Sequence, residues 1–243
     1  MSKSTNGSKS TGATKSPARS SPRTAAKRLA FEPLKAKQRA LRDGFPEQLS
    51  LRVHRAISWF GRAMAERDDP DVRFILLWIG FNAAYAGHIE AETEKEREGF
   101  RNFFDSMVKL DAGHRIYDAV WDRFSQEVRT LLANKYVFAP FWHHQNGLPG
   151  HATWERQLEQ SQREIQTAVT RFDTARILRV LFDRLYVLRN QLVHGGATWN
   201  GNVNRAQVRD GAAVLAWMLP IFIDIMMDNP DHPWGNPYYP VVA

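Results

Sequence analysis

Cysteine is absent from the 243 residues. That excludes disulfide frameworks, thiolate zinc sites and cysteine nucleophiles, and it suits a reducing, cytoplasmic setting. Acidic residues are missing from the first 30 positions. There Lys3, Lys9, Lys15, Arg19, Arg23, Lys27 and Arg28 stand without counter-charge and account for the whole formal +7. The basic character therefore belongs to a tail, and the remainder of the chain is balanced. The tail also lacks any large apolar residue before Leu29. It cannot bury enough surface to offset the entropy of ordering, so 1–30 is expected to be disordered. With neither an apolar stretch nor an amphipathic face it does not read as a secretory or transit signal. Its expected role is that of a linker, with at most weak, salt-sensitive electrostatic contact.

Long apolar runs are scarce as well. The strongest, VRFILLWIGFNAAYA from Val72, falls short of the roughly 20 residues a membrane span requires. It also holds Arg73 and Asn82, so it predicts a bundle's central helix and no membrane partner. No segment shows convincing strand alternation, and the expected class is all-α. Apolar spacing predicts helices over about 48–67, 95–109, 112–134, 154–169, 173–194 and 204–228. Leu51, Ala56, Ile57, Phe60 and Met64 mark the first. Ile116, Val120, Phe124, Val128, Leu131 and Leu132 mark the 112–134 helix, and Pro220 predicts a kink in the last. These give a helical domain over 47–229, followed by a Pro- and aromatic-rich extension, 230–243, expected to lie extended over the bundle.

Residues 137–153 carry Pro, Gly, His143, His144 and His151 and read as an irregular connection. Adjacent histidines in an extended loop point apart and no carboxylate sits at ligand spacing, so no metal site is expected. Asn82 is the one strongly polar residue late in the apolar helix. It is either a satisfied core hydrogen-bonder or a lining of the functional cleft. Trp78 and Tyr85, on its face, read as core. The charge run AETEKEREG reads as a solvated helix face.

The segment LYVLRNQLVHGG places Arg189 and His194 in the last turns of a helix that stops at Gly195-Gly196. At about 100° per residue, Leu178, Leu181, Leu185, Leu188 and Leu192 form one core-facing stripe. Asn190 and His194 share a face pointing away from it, with Asp183 and Val187 on the same outer side and Arg189 on the flank. Arg-x4-His alone is a weak signal, with about one match expected by chance in such a composition; the helical context gives it weight. An arginine and a histidine here would also complement the helix macrodipole, and that structural role stands beside the functional one.

With its apolar FILLWIGFNAAY helix and its RNQLVH motif, the stretch from about 50 to 228 resembles the HEPN superfamily, in particular its Apea-like branch. The resemblance implies a helical bundle with Arg189, Asn190 and His194 as catalytic residues, and Asn82 and Asp183 as possible supports. It implies metal-independent cleavage of RNA by a homodimer that brings two motifs into one cleft, without a cofactor. Such an activity suits a toxin or defence effector held by an antitoxin or regulatory protein. The alternative is a non-catalytic HEPN module that binds nucleotide, RNA or a protein. In a branch paired with nucleotidyltransferases a modified tyrosine lies two residues after the histidine, and Gly196 occupies that place here. The chemistry agrees on independent grounds. Attack by a 2′-OH needs a base and an acid near neutral pH, which two histidines supply, and an arginine to hold the phosphate oxygens.

Overall fold

The computed structural model describes residues 29–86, 93–123 and 125–241. The tail expected to be disordered lies, up to residue 28, outside the described residues, as do the side chains of the AETEKEREG run before Gly99 and that of Phe124. The described chain is all-α, with no strand among the described residues. Ten helices occur there: α1 Phe31–Leu41, α2 Glu47–Ala65, α3 Pro70–Tyr85, α4 Thr93–Leu110, α5 Arg115–Asp118, α6 Ser125–Ala133, α7 Ala139–Gln145, α8 Trp154–Thr170, α9 Thr174–Val193 and α10 Arg205–Asp228.

Helices α2, α3 and α10 pack side by side at the centre. α3 begins where Asp69 accepts a hydrogen bond from the Val72 amide at 3.0 Å, with Pro70 in the first turn. Both features satisfy or remove donors that a helix start leaves open. Its apolar residues point in several directions because it has helices on several sides. Phe81 meets Phe182 of α9 at 4.5 Å between ring centroids, and it also packs on Phe103 and Phe104 of α4 and Phe222 of α10. α10 is the only described helix long and apolar enough to cross a membrane, but 83% of that apolar window is buried inside the bundle. Core burial accounts for its hydropathy. The helix runs on through Pro220, which is itself buried.

Three expectations need correction. The first concerns the start of the folded part, which includes α1. Leu34 is buried against the core, and Lys37 bonds Asp224 of α10 at 2.6 Å. Arg115 of α5 joins Asp224 and Asp111 in the same ionic cluster. The second concerns 112–134, which is not one helix: α5 passes into a π-helical turn, Ala119–Arg123, before α6. The physical reason lies in the spacing. Apolar residues at strict four-residue intervals drift by about 40° per step on a 3.6-residue helix. A wider π turn restores the phase, so that Ile116 and Val120 and then Val128, Leu131 and Leu132 all reach the core. The third concerns 137–153, which holds α7 after a 3-10 turn, Lys135–Val137. Pro140 sits near that helix's start, where its missing N–H costs nothing.

The face of α2 also differs. Leu49, Val53, Ala56, Ile57, Phe60 and Ala63 are buried, with Arg52 among them at 0% exposure, while Leu51 and Met64 are only half-buried. The Arg52 guanidinium donates to four backbone carbonyls: Ala84 at 3.1 Å, Ala86 at 2.9 Å, Gly235 at 3.1 Å and Asn236 at 2.7 Å. Burial pushes it down to about 10, which leaves it charged at neutral pH. It joins the end of α3 to the irregular C-terminal segment. Gly235 has φ +72°, a left-handed conformation that glycine adopts without a Cβ penalty. The segment thus lies over the bundle without helical structure, as its composition suggests.

Candidate functional site

α9 carries the motif. Asp173 accepts from the Arg176 amide at 3.0 Å and starts the helix. Leu178, Leu181, Leu185 and Leu188 are buried, and Leu192, nearer the end, is half-buried. The helix ends at His194, whose N–H donates to the Asn190 carbonyl at 3.0 Å, and Gly195 follows at φ +71°. A glycine in the left-handed region after the last turn is the ordinary way for a helix to stop. The His194 side chain is exposed at that end.

Arg189 and Asn190 are both half-buried and joined directly: Arg189 Nη1 donates to Asn190 Oδ1 at 2.8 Å. Arg189 forms no ion pair among the described residues. Its side chain lines a cavity of about 530 Å³ bounded by α2, α3, α9 and the C-terminal segment. Arg55 and Trp59 come from α2, Trp78 and Asn82 from α3, Tyr186 from α9, and Tyr238 and Tyr239 from the C-terminal segment. No Asp or Glu lines it among the described residues. Arg55 donates to the Tyr239 carbonyl at 2.6 Å and meets no carboxylate among the described residues. Two guanidinium groups, no acid among the described residues and a ring of aromatics make a cavity suited to an anion with an aromatic part.

The sequence candidates separate into groups. Arg189 and Asn82 share the cavity wall, and Asn190 is tied to Arg189. Asn82 is half-buried on the cavity wall, and its amide has no hydrogen-bond partner among the described residues. His194 and Asp183 are exposed and lie outside the cavity lining. Trp78 is 3% exposed and packs on Phe74, Phe81 and Tyr186, in keeping with a core role.

The outer side of α9 is partly covered by the 135–153 segment. Arg184, 4% exposed, lies 4.4 Å over the Phe138 ring and bonds Ser161 at 3.0 Å. Burial pushes it down to about 10, against the opposing charge of Asp183. Gln191 donates to the Tyr136 carbonyl at 2.6 Å and accepts from Asn204 at 2.9 Å. Folding also brings the His143 and His151 rings to 4.5 Å, although the sequence separates them. Two imidazoles do not complete a metal site, and no group of three or more metal-binding side chains forms among the described residues.

No family model, curated protein or solved structure matches this chain. Its function must be read from its own side chains. Sequence reasoning missed Arg55, Trp59, Tyr238 and Tyr239 as wall residues. Arg55 and Trp59 lie at i and i+4 on α2, a spacing that places them on one face, and that was the available signal. Nothing local marks the two tyrosines.

Proposed function

We propose that this chain is an endoribonuclease of HEPN type, acting as a homodimer and cutting RNA without a metal ion. The observation that carries the reading is Arg189: a guanidinium with no carboxylate partner among the described residues, bonded to Asn190, on the wall of the cavity, about one helical turn before an exposed His194. In the proposed reaction one His194 takes the proton of a ribose 2′-OH. The oxygen attacks the adjacent phosphorus, the 5′ oxygen leaves, and the partner subunit's His194 protonates it. The products carry 2′,3′-cyclic phosphate and 5′-OH ends. Arg189 holds the non-bridging oxygens as charge grows on them, and Asn190 orients Arg189.

The dimer part of the reading has its own support. Leu192 and Ala197, either side of His194, line a shallow, mostly apolar groove with Asp71, Val72, Ile75, Leu76 and Trp199. Trp199 is 68% exposed, and Val193 and Val203 are exposed beside it in sequence. A second copy docked there would bury these side chains and bring the two His194 ends toward each other.

A second reading is a binding module that holds RNA or nucleotide and does not cut. It is favoured by one fact: His194 does not line the cavity that Arg189 does. The deciding experiment is incubation of purified protein with RNA in EDTA, wild type beside His194→Ala. The nuclease reading expects cleavage with cyclic-phosphate ends in the wild type only. Equal degradation by both, or activity abolished by chelation, refutes it.

A further inference from the structure

The cavity around Arg189 has more built into it than phosphate contact needs. Trp59 is 38% exposed and its indole has no ring or hydrogen-bond partner among the described residues, while Tyr239 is 73% exposed at the rim. Aromatic rings exposed on the lip of a cavity offer faces on which a base can stack. Asn82 presents an amide, with one acceptor and two donors, and no partner inside the described fold. Arg55 and Arg189 supply two positive charges, and no acid among the described residues pairs with either. At about 530 Å³ the cavity falls within the range of small-molecule sites, about 300–1,000 Å³. Aromatic face, amide edge and paired guanidinium groups are the three elements that a nucleoside phosphate needs: stacking, a hydrogen-bonded base edge and phosphate contact.

We propose that this cavity is a nucleotide subsite for single-stranded RNA, receiving one unstacked base beside the bond to be cut. The base stacks on Trp59, with Tyr239 closing the rim. Asn82 bonds the edge of the base and selects among bases. Arg55 holds the phosphate on one side of that nucleotide, and Arg189 holds the one that is attacked. The proposal rests on the RNA-cutting reading for the attacked phosphate; the stacking and base-edge contacts stand without it. Arg55, Trp59 and Asn82 are binding and specificity residues, distinct from the Arg189, Asn190 and His194 set.

The test uses full-length His194→Ala protein, which holds substrate uncut, with labelled RNA octamers of A, C or U and with the four 5′-mononucleotides. Octamer binding is expected to quench tryptophan emission. Trp59→Ala is expected to weaken octamer binding by about tenfold, the scale of one lost base stack. Asn82→Ala is expected to level the affinities for the three octamers, and Arg55→Ala to lower the salt dependence of binding. Circular dichroism and melting temperature establish that each variant is folded; Trp59→Phe, which keeps a stacking ring, is expected to recover most of the affinity. Folded Trp59→Ala and Asn82→Ala proteins that bind every octamer like their parent overturn the proposal. Mononucleotides binding as tightly as octamers overturn the RNA chain as occupant and leave a free nucleotide in its place. The two readings fail separately. If the protein with His194 intact cuts RNA, and adding Trp59→Ala or Asn82→Ala changes neither rate nor cleavage-site preference, the subsite falls and the nuclease stands. If it does not cut, yet octamer binding depends on Trp59 and Asn82, the nuclease falls and the subsite stands.

Discussion

Replacing Arg52 separates two roles that a buried charge can have. Its guanidinium is fully enclosed and reaches four carbonyls, two at the end of α3 and two in the C-terminal segment. Hydrogen bonds from a charged donor contribute about 1.5–3 kcal/mol each, so four give on the order of 6–12 kcal/mol. Burying the cation costs several kcal/mol, and no carboxylate among the described residues offsets that. The bonds win, and Arg52→Met is expected to destabilise the fold by about 3 kcal/mol, a large part of a typical domain's stability. Arg52→Lys is the sharper comparison. An ammonium keeps the burial cost but cannot reach four acceptors spread around a planar fork. Lysine is therefore expected to do no better than methionine, although it preserves the charge.

Urea unfolding followed by circular dichroism measures the stability. Hydrogen exchange over 235–239 measures whether the C-terminal segment detaches, because the Arg52 bonds to Gly235 and Asn236 hold it down. Both substitutions are expected to speed exchange there before the core opens. Wild-type stability in Arg52→Lys, or a loss under about 1 kcal/mol in Arg52→Met, would sink the reasoning, since either means the four bonds add little beyond what water supplies.

Other outcomes are expected at separate places. Gly211→Ala adds a Cβ about 2.9 Å from Phe74 and 3.0 Å from Leu185; overpacking of about 1–3 kcal/mol should outweigh the roughly 1 kcal/mol gain in helix propensity, and a more stable variant in thermal melts refutes this. Asp71 accepts from Arg205 at 2.6 Å and from the Asn200 amide at 3.2 Å, so Asp71→Ala is expected to cost on the order of 2 kcal/mol and to speed hydrogen exchange over 197–204; unchanged exchange counts against it. His232 titrates below its ordinary 6.5 because burial and then Lys109 disfavour its cation. The unfolded chain therefore binds the proton first as pH falls: the stability this group contributes is whole above 6.5 and is lost as pH drops through the lower folded value. His232→Asn is expected to flatten the stability profile below pH 6.5, and an unaltered slope in urea melts argues against that assignment.

How far the fold could be read from the sequence depended on how local its causes were. α2, α3, α8, α9 and α10 fall within a residue or two of the expected spans because α2, α8 and α9 show a helical apolar period, α3 and α10 are apolar runs of helix length, and most have start or stop signals. α1 was missed because only Leu34 and Gln38 of its residues are buried, which leaves too few apolar positions to mark a period. The break between α5 and α6 was missed because a four-residue spacing resembles a continuous helix until its phase is followed over several turns. α7 was hidden by Pro140 and the histidines, which suggest a loop when its neighbours are unknown.

The site was legible where one helix made it and illegible where several did. Phase along α9 separates the leucine stripe from Asn190 and His194, and the structure keeps that separation. It could not show that Asn82 and Arg189 face one space, since they are 107 positions apart. Nor could it show that Arg55 and Trp59 join them, or that the last wall comes from Pro237, Tyr238 and Tyr239, residues with no helical pattern. That wall exists because Arg52 and Arg55, charged residues on a helix that otherwise reads as amphipathic, bond carbonyls more than 180 positions away. Arg52 lies three residues after Leu49 and four before Ala56, on the buried stripe. A charge at such a phase conflicts with the cost of burial, so it signals that backbone acceptors must converge there. The convergence that satisfies Arg52 also seats the segment that completes the cavity. The stability of the fold and the shape of the candidate site therefore depend on the same side chain.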